Sequence, residues 1–180
     1  MEGGSPRGNQ ERPPGDLRVA TVRSRILAQH GGLVVTVHHS TRSPSEADWA
    51  ANLDTLANAM RDFRRVRQIT FTDGEGPNAG QRQLAAQKAK DSGAIGVYKC
   101  AVVSSSAVTR GIMTALGWLG LPGLKPFSPR ELLEALLFLD LDHRALDALA
   151  LAAQSCADEC GGPNRAMAGL PLPAQKKTNP

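Results

Sequence analysis

Gln68-Ile69-Thr70-Phe71-Thr72, then Asp73-Gly74-Glu75-Gly76-Pro77, then a run from Asn78 that carries Leu84, Ala85 and Ala86: this stretch reads as strand, glycine-rich turn and helix. In an α/β domain such a turn is where a functional group is placed. A helix opening there aims unpaired N–H groups and a partial positive charge outward, so it can hold an anion, a phosphorylated side chain or a partner's carboxylate. The turn also brings two carboxylates of its own, Asp73 and Glu75. No catalytic signature accompanies it.

Working outward, the same alternation of strand and helix recurs along the chain. Arg25 to His30 and Leu33 to His38 are apolar runs separated by Gly31-Gly32, the signal for a hairpin whose turn needs positive φ. Ser43-Pro44-Ser45-Glu46 follows, predicting a helix with Ser43 as cap, Pro44 in the first turn and Glu46 closing a capping box. Its stripe of Trp49, Leu53, Leu56, Met60 and Phe63, spaced by fours and threes, marks one face for burial. Ala94 to Val103 reads as a strand buried on both faces. It runs into Ser104-Ser105-Ser106, the cap of a helix bearing Val108, Ile112, Ala115, Leu116 and Leu119. A short strand near Leu124 to Phe127 leads to a second serine, proline and glutamate box at Ser128, Pro129 and Glu131, and a further helix spans about Asp142 to Cys160. The order β-β-α-β-α-β-α-β-α-α predicts one α/β domain with a mixed, partly parallel sheet flanked by helices and right-handed crossovers.

At 180 residues and 19.1 kDa the chain suits one domain with a core large enough to fold alone. Residues 1–20 hold Gly3, Gly4, Pro6, Gly8, Pro13, Pro14 and Gly15 with almost no large apolar side chain, so they read as a disordered tail, and residues 161–180 read as a second, basic one. The folded body is then 21–160. The formal charge of +4 is concentrated in that second tail, at Arg165, Lys176 and Lys177, which leaves the body near +1 and argues against nucleic acid as a partner. The cluster Arg61, Arg64, Arg65 and Arg67 reads as the solvated end of a helix, where cations suit the macrodipole and no aromatic platform is interleaved. No apolar signal segment opens the chain and no apolar run is long enough to span a bilayer, which predicts a cytoplasmic protein without a transmembrane segment. Three cysteines, Cys100, Cys156 and Cys160, read as reduced thiols, the latter two continuing the stripe of Leu146, Leu149 and Ala153.

Chemistry would need a base beside a nucleophile, or paired acids. The candidates are His30, His38, His39, His143, Cys100 and the triple serine. His38 and His39 are consecutive at a strand end, so they leave on opposite faces, do not share a metal, and read as solvent-edge histidines. Ser104, Ser105 and Ser106 stand at the sheet edge where a ligand would lie. They lack a G-x-S-x-G context, a phosphate loop or a dinucleotide pattern, so helix capping is the plainer account and a weak hydrolase the sharper one. No cofactor or metal is implied.

A hairpin followed by strand, glycine turn and short helix resembles the STAS domain, the fold of anti-sigma-factor antagonists and of the cytoplasmic tails of sulfate transporters, with the CRAL-TRIO lipid-binding domain as a related α/β fold. The resemblance covers roughly Val22 to Leu141 and rests on element order and the turn Asp73-Gly74-Glu75-Gly76. In the antagonists that turn reads Asp-Ser-Ser-Gly and the second serine is phosphorylated by a partner kinase. Glu75 stands in its place here, so that switch is lost and a fixed carboxylate remains, with less charge than a phosphoserine. The resemblance implies a non-catalytic regulatory or scaffolding module of bacterial signalling, binding a protein through Asp73, Gly74, Glu75, Gly76 and Pro77. The plainer reading is that Glu75 only satisfies the helix dipole. The alternative function is a small-molecule or lipid carrier of the CRAL-TRIO type, with the serines and the glycine-broken segment from Ile112 to Leu121, including Trp118, as a ligand or membrane edge. The helix at 142–160 lies beyond the usual end of such a domain and supplies a surface for self-association.

Overall fold

A computed structural model describes residues 19–39, 41–91, 98–118 and 123–171. Five strands form one mixed sheet in the order of the sequence: β1 (Val22–Leu27), β2 (Leu33–His38), β3 (Val66–Phe71), β4 (Tyr98–Val103) and β5 (Leu124–Phe127). β1 pairs antiparallel with β2, and every later pairing is parallel. The helices α1 (Glu46–Asp62), α2 (Ala79–Asp91) and α3 (Ala107–Trp118) are the crossovers. Strands added in sequence order by right-handed crossovers place all three connecting helices on one face of the sheet. The other face is covered by α4 (Leu132–Phe138) and α5 (Leu146–Glu159).

Strand alternation explains the two unequal cores. Leu33, Val35, Val37, Ile69, Phe71, Ala101 and Val103 point toward α4 and α5 and form the main core with Leu136, Leu149, Ala153 and Cys156. The opposite face is smaller in apolar content and carries Val34 and Val66 under Leu56 and Met60 of α1, and Cys100 and Val102 under Met113 of α3. Between those patches lies a polar ladder across four strands. Ser24 and Thr36 share a hydrogen bond of 2.9 Å, Gln68 Nε2 donates to Thr36 Oγ1 at 2.8 Å, and the Tyr98 hydroxyl donates to Gln68 Oε1. A one-residue slip of register would leave these buried groups unpaired, so the ladder selects one strand alignment.

Several details differ from the sequence reading. The hairpin is present and both glycines take the expected positive φ, 64° at Gly31 and 74° at Gly32, but β1 starts at Val22 and ends at Leu27, and a 3-10 turn at Ala28–His30 lengthens the connection. The cap of α1 is Ser45, whose Oγ accepts from the Asp48 N–H at 3.2 Å, and not Ser43. Arg67 belongs to β3 and is no helix-end cation, since its guanidinium donates to the carbonyls of His30 (2.8 Å) and Asp140 (3.1 Å). The box at Ser128 and Glu131 is present as expected.

The expected tail at 161–180 is folded in its first part. Ala166, Met167 and Leu170 are buried in the main core, around a 3-10 turn at Arg165–Gly169. Composition hid this because three small or flexible apolar residues are diluted among glycines and prolines. Residues 172–180, and of the first tail residues 1–18, lie outside the described residues, as do Ala94 to Val97 of the expected strand. The stripe of α5 is packed on its own sheet, against β1 and β2, so it does not supply the surface expected for self-association. Among the described residues no helix is long and apolar enough to cross a membrane.

Candidate functional site

The C-terminal edge of the parallel strands brings Asp73 and the triple serine together. Asp73 Oδ1 accepts from the Ser105 N–H at 2.7 Å and the Ser105 hydroxyl at 2.8 Å, with Ser104 Oγ at 3.3 Å. Its Oδ2 accepts from the Ala166 N–H at 2.7 Å. One carboxylate thus clamps the ends of β3 and β4 to the C-terminal segment. Asn164 works beside it, its Nδ2 donating to the carbonyls of His38 at 2.9 Å and Phe71 at 3.2 Å, the last residues of β2 and β3. The edge where an α/β sheet presents a small ligand is therefore covered by residues 164–170 of the chain itself.

This settles what the serines do locally. Ser106 Oγ accepts from the Thr109 N–H at 3.2 Å and caps α3, Ser104 Oγ accepts from the Ser106 N–H at 3.1 Å, and Ser105 is spent on Asp73. Among the described residues, no histidine is a hydrogen-bond partner of these hydroxyls. Trp118 ends α3, and its side chain lies outside the described residues.

The turn divides by exposure. Asp73 is half-buried and Gly74 buried, whereas Glu75 and Gly76 are exposed and Pro77 is half-buried. Glu75 Oε2 accepts from the Ser43 hydroxyl at 2.6 Å, which ties the turn to the entry of α1. Behind it Asn78 and Gln81 form a reciprocal cap: the Gln81 N–H donates to Asn78 Oδ1 at 2.9 Å and the Asn78 N–H to Gln81 Oε1 at 3.0 Å. Gln81 is 1% exposed, and its Nε2 donates to the Pro44 carbonyl at 2.9 Å. The loop is held from three sides, which limits the ordering cost of any complex formed there.

Beside this turn, a Cβ on Gly76 would stand 3.8 Å from the Met113 methyl, so the turn touches α3. The outward face of α3 is apolar: Val108 is 73% exposed and Ile112 55%, with Gly111 and Ala115 exposed between and after them. Spacings of four and three put these on one line. The sheet side of α3 is taken by Met113, which packs on Cys100 and Val102, so Val108, Ile112 and Ala115 of the expected helix face away from it.

The titratable groups of this edge are structural. His38 is buried, not at the solvent edge: it is 5% exposed, shares a hydrogen bond of 3.0 Å with Thr72 Oγ1, and burial lowers its pKa to about 4 with a smaller push from His39. Its Nε2 has no partner among the described residues. Asp48, beneath the start of α1, is held below the usual carboxylate range; burial opposes this, and hydrogen bonds from Thr21, Ser45 and Arg23 outweigh it. Burial raises the Cys100 and Cys156 thiols to about 11 and Cys160 to about 12, so all three stay protonated and unreactive at neutral pH. Among the described residues no group of three His, Cys, Asp or Glu side chains is placed to hold a metal. Gln81 and Asn164 escaped the sequence reading; His38 was weighed there but placed at the solvent edge, whereas β2 is buried along its whole length and carries His38 with it.

Fold and edge together define a single α/β domain with a mixed five-stranded sheet whose ligand edge is covered from within. No family model, curated protein or solved structure matches the chain.

Proposed function

We propose that the chain is a non-catalytic protein-interaction module, and that its partner docks on the outer surface formed by Glu75, Gly76 and Pro77 together with the exposed face of α3. The observation that carries this reading is a contrast along one edge. Asp73 and the three serines, the groups a chemical step would use, are consumed by internal hydrogen bonds, whereas Val108 and Ile112 stand exposed on α3, the helix whose Met113 methyl faces the Gly76 position of the braced turn. Buried anchors rimmed by a rigid polar loop are what a protein partner recognises. The regulatory role in bacterial signalling and the STAS-like identity belong to this proposal and rest on element order and on the turn Asp73-Gly74-Glu75-Gly76. Asp73 itself drops out of the contact set, because both its oxygens are already used.

The carrier reading has one supporting feature, a shallow groove of about 370 Å³ between β1 and α5 lined by Arg25, Leu27, Leu151 and Ala152. It lies away from the serines and from Trp118, on the α5 face of the sheet. Capture of proteins from native lysate by the intact chain, by Glu75→Lys and by Ile112→Lys tests the main reading. A protein bound by the intact chain and lost by both variants, each folded as the parent, supports it. A stoichiometric lipid or metabolite extracted from all three, with no differential protein, moves the function to the carrier.

A further inference from the structure

The bond between Ser43 and Glu75 joins the turn to the segment that enters α1, and we propose that Ser43 is a phosphorylation site whose modification releases the Glu75 turn. The proposal deepens the reading of that turn as a partner surface and rests on it.

Between His39 and the cap at Ser45 the described chain has no regular structure, and Thr41 and Arg42 are exposed. Three described hydroxyls lie in this segment. Thr41 Oγ1 faces His39 Nδ1 at 3.3 Å and Ser45 Oγ donates to Asp48 at 2.8 Å, so both serve the segment's own packing. Ser43 is the one whose hydroxyl reaches the turn, at 2.6 Å from Glu75 Oε2. That contact works only because a hydroxyl can donate to a carboxylate. A phosphate monoester on the same oxygen is acceptor-only and carries close to two negative charges at neutral pH. It would stand against the Glu75 carboxylate at the distance of a hydrogen bond without a proton to share. Arg42, exposed and adjacent in sequence, offers the phosphate an outward partner.

The step requires a separate kinase and a nucleoside triphosphate. The Ser43 Oγ–phosphorus bond forms, the bond from the γ-phosphorus to its bridging oxygen breaks, and its electron pair leaves on the nucleoside diphosphate. The hydroxyl proton passes to the kinase's base. The switch then acts from the far side of the contact, with Glu75 as the fixed charge and Ser43 as the variable one.

The full-length chain is prepared with phosphoserine encoded at position 43, with and without Glu75→Gln, and hydrogen exchange is followed in the peptide covering residues 73–78. Phosphorylation is expected to speed exchange there about ten-fold, and Glu75→Gln to return it to the level of the unmodified chain, because a neutral amide can donate to the phosphate. In parallel, the chain recovered from its own cells with phosphatases inhibited is mapped by tandem mass spectrometry, and phosphate on Ser43 is expected. Unchanged exchange, exchange equally fast in the Glu75→Gln chain, or no phosphate on Ser43 each overturns the proposal. The exchange is read without any partner, so failure here leaves the partner-capture result standing on its own.

Discussion

Asp73→Asn separates a carboxylate that clamps the fold from one displayed to a partner. In the native chain Asp73 accepts from Ser105 through Oδ1 and from the Ala166 N–H through Oδ2. An asparagine can keep the Ser105 contacts with its oxygen, but it turns an NH2 toward the Ala166 N–H, two donors facing each other. A hydrogen bond to a charged acceptor contributes about 1.5–3 kcal/mol, and a buried donor left unpaired costs about 1–3 kcal/mol, so the loss should be about 3 kcal/mol. Urea unfolding should show the midpoint moving to lower concentration with an unchanged slope. Native-state exchange should show the Ala166 amide losing protection more than amides of β2. A loss below about 0.5 kcal/mol, the range of ordinary surface substitutions, or an Ala166 amide exchanging as before would refute the clamp.

Stability should also depend on pH through His38. The unfolded side chain takes a proton near 6.5 and the folded one only near 4, so the neutral form's stabilisation is complete above pH 6.5 and is lost as pH falls toward 4. The fall should amount to about 3 kcal/mol, read as the urea midpoint against pH, and His38→Gln should flatten that slope; an unchanged slope contradicts it. Met167→Ala should cost about 3 kcal/mol because Met167 is wholly buried. Leu151→Ala, at a site 64% exposed, should cost less than about 1 kcal/mol; equal losses would mean that residues 164–170 do not cover the sheet edge.

What could be read from the sequence was what is local. The stripe from Trp49 to Met60 lies within α1, with Phe63 as its C-cap, and the box at Ser128 and Glu131 frames a single 3-10 turn, so each is set by residues a few positions apart and appears where the sequence puts it. The cap was expected at Ser43 and falls two residues on at Ser45, because Asp48, whose N–H donates to it, is fixed from outside the helix by Thr21 and Arg23. The role of Asp73 was out of reach, since its donors stand 32 and 93 residues further on. The same holds for the C-terminal segment: Ala166, Met167 and Leu170 have no periodicity of their own, and their burial is decided by the shape of the sheet edge they cover. The exposure of Val108 was not legible because an apolar helical stripe does not state which side the sheet takes, whereas Ile112 had been read as part of a ligand or membrane edge.

The most direct measurement is binding of the captured partner to the purified intact chain and to Ile112→Lys, compared by titration calorimetry, with Leu151→Lys as an exposed apolar position on the α5 face. All three proteins should unfold at the same urea concentration to within about 0.5 kcal/mol, because both sites are exposed. The account predicts that Ile112→Lys weakens binding by at least about ten-fold, the loss of one anchor of 1.4 kcal/mol or more, while Leu151→Lys binds as the intact chain does. Equal binding by all three, or loss only in Leu151→Lys, would contradict it and place the partner elsewhere on the domain.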